Sequence, residues 1–231
     1  HLAAGYFDAA LSHCSAPEPA QRATVLTAVA EHELARGAYA TAARHFARTS
    51  RPLEEVALRF IASGCREALQ LYLLHKIDEI DESCSSQLTM VCTWLLELYL
   101  QSLAELPKAE ADAASAAKLR PFLADRLRHL HCGVATSILE ASGRSEDVAY
   151  FAALCFDWER LISLHLQRKE YGLALEQLGS LVDDALARGS GRGAGTTSTD
   201  AAELEADVER LIVLSGTELL LHEPGTTVDV W

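Results

Sequence analysis

Apolar side chains along this chain return every three or four residues rather than every two. Leu53, Val56, Ala57, Phe60 and Ile61 fall at i, i+3, i+4, i+7 and i+8, the spacing of one helix face. Pro52 stands where a first helical turn tolerates it, and Glu54 and Glu55 follow where the helix dipole favours negative charge. Cys92, Leu95, Leu96, Tyr99, Leu100 and Leu103 make a second stripe, joined on an adjoining face by Val91, Trp94 and Leu98. A helix apolar on two faces has to be covered on both, as happens inside a stack of helices. Leu175, Leu178, Val182 and Leu186 form a third stripe, and Leu204, Val208, Leu211 and Leu219 a fourth. Sustained β alternation is absent, and the pattern predicts an all-α chain.

The helices also repeat. GYFDAALSHC from Gly5, GAYATAARHF from Gly37, SGCREALQLY from Ser63 and KEYGLALEQL from Lys169 superpose without gaps. Position six is Ala in all of them (Ala10, Ala42, Ala68, Ala174), and position three is Phe7, Tyr39, Cys65 or Tyr171. Such a segment reads as the second helix of a hairpin: a short turn, a ring that plugs the gap between the pair, and a small residue that lets two helices approach closely. Degenerate copies start near Gly143 and Phe156. The spacing is irregular, so the prediction is an α-solenoid of irregular stacked helical hairpins, of the clathrin-heavy-chain or tetratricopeptide kind, rather than a regular array. One solenoid is expected over 1–231. Two stretches interrupt it: an Ala-rich insertion at about 107–117, as solvated helix or loop, and a Gly/Ser/Thr linker at 189–199, expected to be flexible. The start at His1, within a helical pattern and without an initiator Met or signal peptide, suggests a piece of a longer protein.

Charge narrows the classes of partner. The 231 residues are 49% apolar and carry a net charge of −13, which repels phosphate backbones and anionic head groups; neither nucleic-acid binding nor membrane insertion is expected. The longest apolar run, Met90 to Leu100, is broken by Thr93 and Glu97. The six cysteines, Cys14, Cys65, Cys84, Cys92, Cys132 and Cys155, form no C-x-x-C pair and read as free, buried thiols.

No motif for catalysis emerges: G-x-S-x-G, P-loop, dinucleotide fingerprint and H-E-x-x-H are all missing from the sequence. No catalytic residue, cofactor or metal site is expected, and the chain reads as non-enzymatic. His129-Leu130-His131-Cys132 tempts as a zinc cluster, with His13-Cys14 a distant second. Zinc wants separated pairs that close a tetrahedron, however, and histidines two apart lie on different sides of a helix. Asp78, Glu79, Asp81 and Glu82 make an acidic run, and Lys118, Arg120, Arg126, Arg128 and His129 the one basic stretch. The basic stretch is the candidate interaction surface, for an anionic partner; the plainer reading of both runs is a solvated helix face. Trp94 and Trp158 read as core.

Particular strings carry a resemblance. RPLEEVALRFI (Arg51 to Ile61), EALQLYLLHKID (Glu67 to Asp78) and TMVCTWLLELYL (Thr89 to Leu100) occur in this order, with AEHELARGAYATAARHFART before them and the stretch from Ser137 to Leu178, then HEPGTTVDVW, after. Together they resemble the α-solenoid of the deep-orange/Pep-three family of vacuolar protein sorting proteins. The hairpin pattern alone is shared with clathrin heavy chain and other coat-like solenoids. The resemblance implies a scaffold subunit of the HOPS and CORVET membrane-tethering complexes on the cytosolic face of late endosomes, lysosomes or vacuoles. Its partners would be sister class C subunits and, indirectly, small GTPases and SNAREs. Family members add an N-terminal β-propeller and a C-terminal zinc-binding RING, and no residue here inherits a zinc-ligand role. The rival readings are a clathrin-like coat or other protein-binding module, and the substrate arm of a RING ubiquitin ligase.

Overall fold

The three-to-four spacing becomes helix throughout residues 19–189 and 198–230, which the computed structural model describes; among them there is no strand. The segment from Gly5, the His13-Cys14 pair, most of the 189–199 linker and Trp231 lie outside the described residues, as do the side chains of Leu186 and Leu204. The chain divides into two units between Ile138 and Leu139.

The first unit runs through α1 (Pro19–Ala35), α2 (Tyr39–Ala47), α3 (Leu53–Ala62), α4 (Arg66–Glu79) and α5 (Ser85–Ala104). Then come α6 (Lys108–Ala114), a π turn (Ser115–Leu119), α7 (Arg120–Asp125), a 3₁₀ turn (Leu127–His129) and the start of α8 (Cys132–Ala141). Rings of three successive helices meet at its centre. Phe60 sets its edge against Phe46 at 6.0 Å and lies 5.7 Å from Tyr72, all three essentially buried. The Tyr72 hydroxyl is buried without a hydrogen-bond partner, and burial drives its pKa above the ordinary value. Lys76 of α4 donates to the carbonyls of Ala47 and Thr49 (3.4 and 3.3 Å), covering acceptors left open where α2 ends. Arg51 and Arg59 each reach both Glu31 and Glu55, so one ring of ion pairs at 2.5–3.2 Å ties α3 to α1.

The second unit holds the end of α8, then α9 (Ser145–Leu154), α10 (Trp158–Gln167), α11 (Tyr171–Gly189), α12 (Ser198–His222) and α13 (Pro224–Val230). Its core joins Ile162 of α10, Ala174, Leu175, Leu178, Leu181 and Ala185 of α11, and Val208, Leu211 and Leu219 of α12. Tyr171, at the start of α11, stacks on His222, at the end of α12, with ring centroids 4.3 Å apart and planes nearly parallel (10°). A buried carboxylate, Asp147, accepts from Arg144 Nε at 2.5 Å at the start of α9.

Five connections share one device. Gly37, Gly64, Gly143, Phe156 and Lys169 all have φ between +57° and +76°, each two residues after one helix ends and two before the next begins. This left-handed residue closes a helix and turns the chain back. Its mark is the amide that reaches back five residues: Ala38 to Glu33, Asp157 to Ala152 and Glu170 to His165, each at 2.9 Å. Glycine adopts such a φ without a Cβ clash, which Phe156 and Lys169 have to absorb.

These turns correct the repeat register. Gly64, not Ser63, stands with Gly37 and Lys169, so that segment moves on by one residue. Position six then holds Ala42, Leu69, Val148, Leu161 and Ala174, all buried. What recurs is burial after a left-handed turn; alanine occupies the place only in some copies. Three further expectations change. Ile61 is 53% exposed, because the eighth residue along a helix has rotated about 80° away from Leu53. Cys84 and Cys132 are exposed; Cys92 is buried, Cys65 and Cys155 are half-buried, and no two of the five form a disulfide with each other. Trp94 and Trp158 are half-buried rather than fully core.

Candidate interaction surface

The basic stretch lies where α6 gives way to α7, and proline shapes it. Pro121 has no amide hydrogen to donate, and its ring would press on the carbonyl of Ala117 in an unbroken α-helix. The helix widens instead into the π turn Ser115–Leu119, whose bond runs from the Arg120 amide to the Ser115 carbonyl, five residues back. The Ala-rich stretch before it is helical, with Ala111 and Ser115 buried. Leu119, Phe122 and Leu123 point inward, and Phe122 meets Tyr99 of α5 at 5.3 Å. With that side docked, Lys118 and Arg128 are exposed, while Arg120, Arg126 and His129 are partly covered.

Two of the four Lys and Arg side chains are held in ion pairs. Arg126 donates to Asp78 Oδ1 at 2.7 Å and Arg128 to Glu82 Oε1 at 2.6 Å, so the basic stretch and the acidic run, each singled out from the sequence, meet and partly neutralise each other. Arg128 also reaches His129 Nε2 at 3.1 Å. Burial first, then the charges of Arg128 and Arg126, lower the pKa of His129. Arg120 is half-exposed and engaged within the fold. Lys118 is the exposed member with no ion-pair partner among the described residues.

Lys118 borders two adjoining grooves of 690 and 470 Å³. Both share Cys65, Glu67, Gln70, Tyr99 and Lys118; the larger runs to the turn at Gly37, the smaller to Ser102 and Leu106. Gln70 closes the floor by donating through Nε2 to the Leu98 carbonyl and Ser102 Oγ, both at 2.8 Å. Sequence reasoning missed Gln70 and Tyr99 as groove residues. The signals were there: a glutamine inside the apolar run from Ala68 to Leu73, and a tyrosine at the edge of the α5 stripe.

Burial pushes the Cys92 thiol up to about 11, against the opposing charge of Arg126, so it stays protonated and poorly nucleophilic. Among the described residues no group of three or more His, Cys, Asp or Glu side chains is placed to hold a metal ion, and no helix is long and apolar enough to cross a membrane. What the unit offers is concave surface with mixed polar and apolar lining, suited to a protein segment.

Residues 2–157 match the family described as VPS18, alpha-solenoid domain, first half, a match that ends at the left-handed turn of Phe156. The chain is similar to the vacuolar protein sorting-associated protein 18 homolog of Danio rerio, 32% identical over 189 residues, or 78% of this chain and 19% of that protein. It is similar to vacuolar sorting protein 18 of Arabidopsis thaliana, 33% identical over 183 residues, or 74% and 18%. It is also similar to the vacuolar membrane protein pep3 of Schizosaccharomyces pombe, 26% identical over 221 residues, or 91% and 22%. The chain therefore spans about a fifth of the length of these relatives.

Proposed function

Since the chain belongs to the VPS18 family, through the first half of its α-solenoid, we propose that it is a scaffold segment of a membrane-tethering complex in vacuolar or lysosomal sorting. The observation that carries this reading is the match of residues 2–157 to that solenoid. Two of the relatives are named vacuolar sorting proteins, and the third a vacuolar membrane protein. A helical-hairpin array works through extended surface, each hairpin stiffened by the next, and needs no reactive group to do so. The protein acts, on this reading, without enzymatic activity, peripherally on the cytosolic face of endosomal, lysosomal or vacuolar membranes. It holds sister class C subunits of HOPS and CORVET in place and serves small GTPases and SNAREs through them. That 1–231 forms one continuous arm belongs to the same proposal. So does the assignment of Lys118, Arg120, Arg126 and Arg128 as the basic side of a contact, with Lys118 and the two grooves at its centre.

The test is affinity purification of the full-length protein from its own cells, with its stoichiometric partners identified by mass spectrometry. Other vacuolar sorting subunits in fixed ratio are expected. A self-assembled coat, or recovery without such subunits, overturns the reading.

A further inference from the structure

In the second unit a groove of 340 Å³ runs between α10 and α12. One wall is the helix face of Glu159, Ile162, Ser163, Leu166 and Gln167; the other is the row of Leu211, Leu214, Ser215 and Glu218. The floor is apolar and closed. Ile162 and Leu211 are buried, and the Ser215 hydroxyl donates to the Leu211 carbonyl at 2.6 Å, so it offers nothing to a ligand. Leu214 stands on the rim at 60% exposure, and the same side of α12 carries Leu221 (75%) two turns on. Leu214 and Leu221 are seven residues apart, two turns on the same side, which is the register of a helix seam.

The charge around this strip is mostly negative. Asp207, Glu218 and Glu159 flank it, and the one cation among them, Arg210, lies 3.1 Å from Glu159 and 3.6 Å from Asp207. Glu218 has no ion-pair partner among the described residues. Exposed leucines in helix register beside an open apolar groove suit a contact, and the acidic border selects the partner. A second copy of the chain would bring the same carboxylates against themselves, so self-association is disfavoured.

From this we infer that the α10–α12 groove takes an amphipathic helix of a partner protein, whose Leu- or Ile-type side chains recur at i, i+3 or i+4, and i+7, with Lys or Arg on their flanks. The inference rests on the scaffold reading only for the existence of a partner; the groove's apolar floor and acidic rim specify its chemistry. Leu214 is the anchor that the partner buries, and Glu218 and Glu159 receive its cations.

The test uses full-length protein and a labelled synthetic helix of about 18 residues, five turns, with leucines in that register and lysines beside them. A matched helix has glutamates in place of the lysines. Fluorescence anisotropy at near-physiological salt should show saturable binding of the lysine helix, at least about tenfold tighter than that of the glutamate helix. Leu214→Glu should weaken it about tenfold or more, and Glu218→Lys with Glu159→Lys should abolish the preference. Glu79→Lys, on the first unit, should leave it unchanged, which separates the groove from general attraction to an acidic protein. Absence of saturable binding, or indifference to Leu214→Glu, overturns the inference. So does a lowered melting temperature of Leu214→Glu protein without added helix, because the face is then covered by the protein's own polypeptide. Co-purification of sorting subunits despite failed helix binding would refute this inference and leave the scaffold reading standing.

Discussion

The two long helices, α5 and α12, begin from the same kind of sequence and end in different surroundings. Both are apolar on more than one face. In α5 both faces are covered: Leu88, Val91, Cys92, Leu95, Leu96, Leu98, Leu100 and Leu103 are buried, and Met90 is the large apolar side chain left out. In α12 one face, with Val208, Leu211, Ser215 and Leu219, packs on α10 and α11, while Val213, Leu214 and Leu221 face solvent. The pattern states that two faces need cover; it does not state whether the cover comes from the same chain. For α5 it does, through α4 on one side and the α6–α7 segment on the other.

The comparison breaks first at single leucines, where the largest effects are expected. Leu96→Ala removes a fully buried side chain and should cost about 2–5 kcal/mol. Leu214→Ala removes an exposed one and should stay within about 0.5 kcal/mol. Urea unfolding of the two variants reads both numbers. Equal losses would mean that the outer face of α12 is as fully packed as α5.

Close packing of helix pairs gives the next effect. Ala42 and Ala174 are completely buried in the two units. Ala42→Trp and Ala174→Trp each force the paired helices apart and should destabilise by about 1–3 kcal/mol. Unchanged thermal melting in both would show that neither position sits at a helix contact.

How much of this could be read beforehand differs by kind of interaction. The stripes on α3, α5 and α11 were legible because helical periodicity is local. The turns were legible where glycine marks them, and even Phe156 and Lys169 begin segments of the repeat. The register at Ser63 was misplaced by one residue because four alanines were taken as equivalent, whereas the backbone aligns on Gly64. The pairing of Arg126 with Asp78 and Arg128 with Glu82 was not legible, since it joins residues nearly fifty apart. Each run could be seen alone, but not that one answers the other. The grooves beside Lys118 were only hinted at, by a glutamine and a tyrosine within apolar stripes, because Gln70 and Tyr99 acquire a role once α4 and α5 lie side by side.

The hairpin turns offer a stabilising change. Gly37 and Gly64 serve the first unit, while the second uses Phe156 (φ 57°) and Lys169 (φ 60°) in the same conformation beside Gly143. Lys169→Gly should stabilise by about 0.5–1 kcal/mol, since the Cβ strain is relieved at an exposed position. Phe156→Gly should gain less, because its ring lies 5.7 Å from Trp158 and that contact is lost. The mirror change, Gly37→Ala, meets open space but a strained φ of +76° and should destabilise. A lower melting temperature for Lys169→Gly would mean that its side chain does more for the fold than its backbone costs.

Acid should separate the two units by the smallest margin. In the first, His129 lies beside Arg128 and Arg126, and its pKa is below the ordinary 6.5, chiefly through burial. The unfolded chain therefore takes up this proton before the folded one does. The associated stability is complete above about pH 6.5 and is lost as pH falls from there through the lower folded value. In the second unit Glu170 is bonded to His165 at 2.9 Å, and that bond is the main reason its pKa lies below the ordinary 4.5. Its contribution is complete above about 4.5 and is lost only as pH falls through the folded value beneath that. Acidification from about pH 7.5 to 5.5 should thus loosen the 3₁₀ turn and its Arg126–Asp78 clasp while leaving the α10–α11 turn as it was. Hydrogen exchange, corrected for the intrinsic pH dependence, reads this as faster relative exchange around residues 126–131 and no change around 165–171. His129→Gln should remove the difference. Equal behaviour of both turns over that range, or persistence of the effect in the variant, would show that His129 is not the group that feels the acid.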